Sequence, residues 1–413
     1  MSKLERLVAA AAYVASVCLR RLFLSCKAGA LIHNYVIFLA YRFMTSRSGR
    51  EVPDVPEVPK AIERWRHPLT RKLVERIYDL SPRVVENHVV WTTAVGYPRR
   101  QRQRRSGLWT PNLYISPTYD CNLACRGCYA NGHKPDELPH SELERIIAEQ
   151  ETSGIFHAVI LGGEPFLRDD LWQLYAHHPR VLFTVFTNGT MISEEVVERI
   201  ARLGNIRLMI SLEGFAEATD RRRGRGVYDK IVAALEMCKQ KNIYYGVSVT
   251  VAQENFEGVT SEAFIEAMNS HGIHLISYVL YMPCGTDNGA FSAPTTEQVL
   301  ELERCVERIQ DRYPIIAVTG RNGSNLVTSC PAASGRLHIT ANGDVEPCMF
   351  CHYAADSIKG KTIAEVMNSD FFKRIRVLTS AGAPSLTPCR TSESLVLRRL
   401  FEEVGAYPTT ERR

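Results

Sequence analysis

Short apolar runs begin near residues 113, 158, 181, 206, 245 and 276: Leu113–Ser116, Ala158–Leu161, Val181–Thr187, Ile206–Leu212, Tyr244–Val251 and Ile276–Met282. Between them lie segments with helical spacing, among them Ser141–Thr152, Glu194–Leu203, Val227–Lys241 and Ser261–His271. Strand-like runs alternating with helical ones predict βα units and a parallel sheet. Six such units make a partial, TIM-like (βα)6 barrel in an α/β fold, and sites on such a sheet sit at the carboxyl ends of the strands. After a predicted helix at Thr296–Gln310 the pattern changes. Arg336–Thr340 and Asp344–Glu346 flank a tight Ala-Asn-Gly-Asp turn, a hairpin signal, and a further helix follows near Thr362–Leu378.

The first hundred residues follow a different pattern. Leu7–Leu19 and Leu22–Phe43 are apolar but too short or too interrupted, at Lys27 and His33-Asn34, for the roughly 20 residues of a spanning helix. The first runs into Arg20-Arg21 and not into a cleavage site, unlike a signal peptide. Paired apolar helices carrying Lys and Arg fit an interfacial leader on an anionic leaflet; packing on the rest of the protein fits as well. Glu51–Lys60, with three prolines, reads as an extended linker. Arg99–Arg105 has five arginines in seven positions, read as a solvated loop, a lipid-phosphate clamp or, least favoured, a nucleic-acid contact.

The chain has 413 residues, 45% hydrophobic and 23% charged, which argues against fibrous, disordered or multi-pass membrane classes. Residues 1–105 hold 20 Lys/Arg against 8 Asp/Glu, a surplus of +12 within a net charge of only +5. A basic leader on a mildly acidic body suggests docking on an anionic surface. The expected organisation is a leader at 1–50, a linker and basic segment at 51–110, a barrel at 111–315, a cysteine-rich domain at 316–395 and a tail at 396–413. The 12 cysteines cluster at metal-ligand spacings, which implies a reducing compartment.

Cys121, Cys125 and Cys128 follow the first strand as C-x3-C-x2-C. Three thiolates on one loop suit three corners of an iron–sulfur cubane, with one iron left open. A zinc site would need a fourth ligand, and His133 is the one nearby candidate. The motif resembles that of the radical S-adenosylmethionine (radical SAM) superfamily, although Gly127 precedes the third cysteine where the family usually has an aromatic residue, and Tyr129 follows it. The resemblance implies a [4Fe–4S] cluster that binds SAM, reductive cleavage to a 5′-deoxyadenosyl radical, and hydrogen abstraction from an unactivated C–H bond. It also assigns Gly162, Gly163 and Glu164 of the AVILGGEP element to the methionine ammonium, and Ser211 and Arg223 to the ribose and carboxylate of SAM. Thr187 and Asn188 end the next strand and join Tyr129 in the implied cofactor site.

A second group, Cys330, Cys348, Cys351 and Cys389, surrounds the hairpin. The arrangement, with Gly343 five residues before Cys348, resembles the auxiliary-cluster domains called SPASM and twitch and implies one auxiliary [4Fe–4S] cluster; a four-thiolate zinc site is the alternative. Cys351 fits either a ligand or a packed thiol. Cys284, after the sixth strand, is a candidate hydrogen-atom donor. Cys18, Cys26, Cys238 and Cys305 read as packed thiols.

The resulting expectation is an enzyme on the cytoplasmic face of the membrane, reduced by a flavodoxin- or ferredoxin-type donor and acting on a lipid or isoprenoid chain. The alternative is a peptide maturase that oxidises or crosslinks side chains. A non-catalytic iron–sulfur carrier is the third reading, disfavoured because a carrier needs no SAM site.

Overall fold

A computed structural model of the chain describes Leu80 and residues 112–133, 136–283, 289, 291–319, 332–380 and 395–410. Strands β1 (Asn112–Ile115), β2 (His157–Ile160), β3 (Leu182–Thr187), β4 (Ile206–Leu212), β5 (Tyr245–Val251), β6 (Leu275–Leu280) and β7 (Ile316–Thr319) stand side by side in chain order, all parallel. The first six are the six apolar runs. They are legible because helices cover a parallel sheet on its outer face and the core fills the other, so both faces are apolar; every residue of β5 except Thr250 is buried. The seventh strand, β7, extends the expected six-stranded barrel.

The connecting helices are α1 (His140–Thr152), α2 (Leu171–His177), α3 (Glu194–Leu203), α4 (Ala216–Arg223), α5 (Val227–Gln240), α6 (Phe256–Thr260), α7 (Glu262–Ser270) and α8 (Thr296–Arg312). Their ends follow local chemistry. Ser193 accepts a hydrogen bond from the Val196 N–H to start α3, Glu194 and Glu195 occupy its first turn, and Gly204 at φ 66° ends it. The helix expected over Ser261–His271 forms as α7, its start at Glu262 capped by the Ser261 side chain accepting from the Phe264 N–H, and α6 is an additional short helix before it. In α8, Thr295 and Gln298 form a capping box.

The predicted hairpin forms as β8 (Arg336–Ile339) and β9 (Asp344–Glu346), paired antiparallel. It is not a separate sheet. β8 pairs in parallel with β1, from Asn112–Arg336 to Ile115–Ile339. With β10 at Tyr353–Ala354 and β11 at Asp356–Ser357, the sheet order is β11-β9-β8-β1-β2-β3-β4-β5-β6-β7. β10 pairs instead with β12 (Tyr407–Pro408). The helix expected near 362–378 is split into α9 (Ile363–Met367) and α10 (Asp370–Ser380), and α11 (Leu395–Glu403) precedes β12. One core runs from Leu113 and Ile115 through the barrel to Leu337, Val345, Phe372 and Phe401. Among the described residues, no helix is long and apolar enough to cross a membrane. The leader, the Arg99–Arg105 run, Cys18, Cys26, Cys284, Cys330 and Cys389 lie outside the described residues.

Candidate active site

The three cysteines lie on the loop that leaves the carboxyl end of β1. Cys121 is exposed, Cys125 and Cys128 are half-buried, and all three are free thiols. Burial raises the Cys121 and Cys125 thiols and the neighbouring Cys128 raises both further, while Arg223 opposes the effect at Cys125. Three sulfurs close enough to influence one another, on one loop and with no disulfide, fit three corners of a cubane. The loop is held from outside. Asn188 donates through Nδ2 to Asn122 Oδ1 at 2.7 Å and lies 3.8 Å from Cys121 Sγ. Asn131 donates to the Cys125 carbonyl at 3.4 Å, and Gly127 takes φ 63°, the conformation that favours glycine over the usual aromatic residue.

The glycine–glycine–glutamate element follows β2. Gly162 is at φ 113°, and a Cβ there would sit 2.4 Å from the Thr118 carbonyl oxygen; one on Gly163 would sit 2.0 Å from that of Asp120. The glycines therefore let this element lie directly on the backbone entering the cysteine loop. The Gly163 and Glu164 N–H groups donate to the Thr118 and Asp120 carbonyls at 2.9 and 2.8 Å. Tyr129 adds a third tie, its hydroxyl accepting the Gly162 N–H at 3.1 Å.

Glu164 is fully buried, and its carboxylate accepts from the Thr187 hydroxyl at 2.9 Å and from the Asn188 and Phe166 N–H groups at 2.8 and 3.1 Å. Burial raises its pKa, and these donors pull against that rise. The carboxylate thus locks the end of β2 to the end of β3. Thr187 and Asn188, assigned from the sequence to the cofactor, are the partners of that lock.

At the end of β4, Ser211 is half-buried, two residues before the buried Glu213. The arginine run after it does not form a solvated face. Arg222 and Arg223 both bind Glu213 Oε1, Arg222 at 2.8 Å and Arg223 through Nε at 2.9 Å. Arg222 also donates to the Arg126 and Gly127 carbonyls at 3.1 and 3.2 Å, and the Arg126 N–H donates back to the Arg222 carbonyl at 2.9 Å. Sequence reasoning missed Glu213 and Arg222 as site residues. The available signal was a carboxylate at the carboxyl end of a barrel strand.

Of the second cysteine group, Cys348 and Cys351 are described. The Cys351 N–H donates to the Cys348 carbonyl at 2.9 Å, and Cys351 is buried. Cys238 and Cys305 are buried in helices α5 and α8, as packed thiols are. The His133 ring stacks on Tyr119 and meets His352 edge-on.

The sequence matches the family model of the radical SAM superfamily over residues 115–269 and that of the SPASM iron–sulfur cluster-binding domain over 330–391. It is 33% identical over 307 residues to the mycofactocin maturase MftC of Mycobacterium tuberculosis, covering 69% of this chain and 78% of that one. It is 27% identical over 296 residues to the pre-heme d1 synthase of Dinoroseobacter shibae, covering 62% and 72%. The fold is that of Streptococcus suis SuiB bound to its precursor peptide SuiA, with a TM-score of 0.55, 18% identity and 72% of each chain covered. The two domains imply SAM and [4Fe–4S] clusters, and the chain belongs to the radical SAM superfamily, as an enzyme with a carboxyl-terminal SPASM domain.

Proposed function

We propose that this enzyme is a peptide maturase, abstracting a hydrogen atom from a side chain of a precursor peptide. The observation that carries it is the 33% identity to a maturase over 307 residues, 69% of this chain. The fold shared with SuiB bound to its precursor peptide is consistent with it. Peptide thus replaces the lipid chain expected from the leader as the preferred substrate class. The bound cofactor supplies a carbon-centred radical strong enough for an unactivated C–H bond. The chain's own part is positional. Cys121, Cys125 and Cys128 hold the cluster, the Gly162–Glu164 element and the Ser211–Arg223 region flank the SAM site, and Tyr281 and Phe291 meet edge-on at 5.8 Å under the Arg222 guanidinium.

Cys330, Cys348, Cys351 and Cys389 are proposed to hold one auxiliary [4Fe–4S] cluster, and a ferredoxin- or flavodoxin-type protein to deliver the electron. Residues 1–105, with their +12 surplus, are proposed to rest on the anionic cytoplasmic leaflet. The test is to incubate reconstituted full-length enzyme with SAM, dithionite and either small peptides encoded beside its gene or a cell lipid extract. A mass change of a peptide, with release of 5′-deoxyadenosine, supports the reading. Turnover confined to lipid or tetrapyrrole fractions would overturn it.

A further inference from the structure

Beneath the cysteine loop, where it meets the hairpin, lies a polar cluster that the cofactor site does not use. His133 comes from the loop that follows Cys128, Glu346 ends β9, and His352 follows Cys351. One ligand atom from each lies within 4.8 Å of the others, and all three side chains are at least nine-tenths buried. Neither His133 ring nitrogen has a hydrogen bond of normal geometry, the Thr409 backbone giving the ring only a weak contact, and His352 Nε2 has none. Buried polar atoms are almost always satisfied, and each orphan costs about 1–3 kcal/mol. His352 already meets the carboxylate through Nδ1, 3.4 Å from Glu346 Oε1, while its other nitrogen and both nitrogens of His133 stay unsatisfied.

The surroundings are those of an organised site. Glu346 is held in place by His338, whose Nδ1 lies 2.6 Å from Oε2, and by the Thr409 hydroxyl, which donates to Oε1. His338 is oriented in turn by the Ser116 hydroxyl, 2.8 Å from its Nε2. A carboxylate oriented by a histidine that is itself hydrogen-bonded is how proteins fix metal ligands from outside. His338 has both nitrogens committed and is not itself a ligand.

We propose that His133, Glu346 and His352 bind a mononuclear divalent transition-metal ion, zinc or ferrous iron. Two imidazoles and one carboxylate suit either ion and leave at least one coordination position open. The ligand set contains no cysteine, and it ties three distant segments together: the loop after Cys128, the hairpin, and, through Thr409, the segment after β12. It does not depend on the identity of the substrate.

The test uses anaerobically purified full-length holoenzyme. Metal and acid-labile sulfide are measured together, and crystals are scanned for anomalous scattering at the zinc and iron edges. A peak between His133, Glu346 and His352 at the zinc edge, or iron in excess of sulfide with a peak at the iron edge, supports the proposal and tells the two ions apart. His133→Ala and His352→Ala should each lose that ion and keep the cluster iron and sulfide. A water molecule at that position in the wild-type crystal, or the same non-cluster metal content in wild type and both variants, would overturn it; the wild-type measurement stands even where a variant fails to fold.

Discussion

Arg222 reaches Glu213 at 2.8 Å while the rest of its guanidinium holds the carbonyls of Arg126 and Gly127. One side chain therefore connects the end of a barrel strand to the loop that carries all three cysteines. Glu213 is 2% exposed and shares one oxygen between two arginines. Its removal leaves the largely buried Arg223 guanidinium without its carboxylate and Arg222 with only the two loop carbonyls. Glu213→Ala should cost about 3–5 kcal/mol and lower the iron retained on anaerobic gel filtration. Arg222→Ala, which leaves the Arg223 pair intact, should stay folded but lose loop iron faster under a chelator. Equal chelation rates in wild type and Arg222→Ala would refute the connection.

The glycines at the end of β2 should separate sharply from glycines elsewhere. Gly163→Ala places a Cβ 2.0 Å from the Asp120 carbonyl, so the element must move off the cysteine loop. The expected result is loss of the spectral change when SAM is added to the reduced cluster. Gly258, in α6, has open space where a Cβ would stand, with nothing within 4 Å of it. Gly258→Ala should be neutral or stabilising by up to about 1 kcal/mol, with SAM binding unchanged.

Tyr129→Phe removes the hydroxyl that accepts the Gly162 N–H. One hydrogen bond of this kind contributes about 1 kcal/mol. SAM affinity should fall about fivefold with cluster iron unchanged, read by anaerobic equilibrium dialysis. A fall in iron content parallel to the loss of affinity would move the role of Tyr129 from the brace to the cluster.

His178 predicts a pH dependence on the outer face of the barrel. Burial lowers its pKa, but the Glu151 carboxylate at 2.5 Å and Glu144 at 3.0 Å outweigh that and hold it above the ordinary 6.5. The folded state therefore binds this proton more tightly than the unfolded chain. The stabilisation is complete below pH 6.5 and is lost as pH rises through the folded value. Melting temperature should decline across that window in wild type, with a shallower decline in His178→Gln.

The first six strands of the barrel were readable because each spells an apolar run, with β3 and β5 buried on both sides at all but one residue, and α3 because Ser193 and Gly204 mark its ends. The strand Ile316–Thr319, between Pro314 and Gly320, is only four residues long and takes its place by pairing with β6. The direction of the arginines in α4 was equally hidden. A run of like charges is normally solvated, and only Glu213, on a different element, turns Arg222 and Arg223 inward. The cysteine loop was plain from spacing alone. The partners of His133 were not, since Glu346 and His352 lie more than two hundred residues away along the chain.

The parallel pairing of Asn112–Ile115 with Arg336–Ile339 has a consequence for biogenesis. During synthesis the first strand emerges early and keeps one bare edge until the hairpin has left the ribosome, more than two hundred residues later. The nascent barrel is therefore unfinished next to its own cysteines until Arg336–Ile339 arrives.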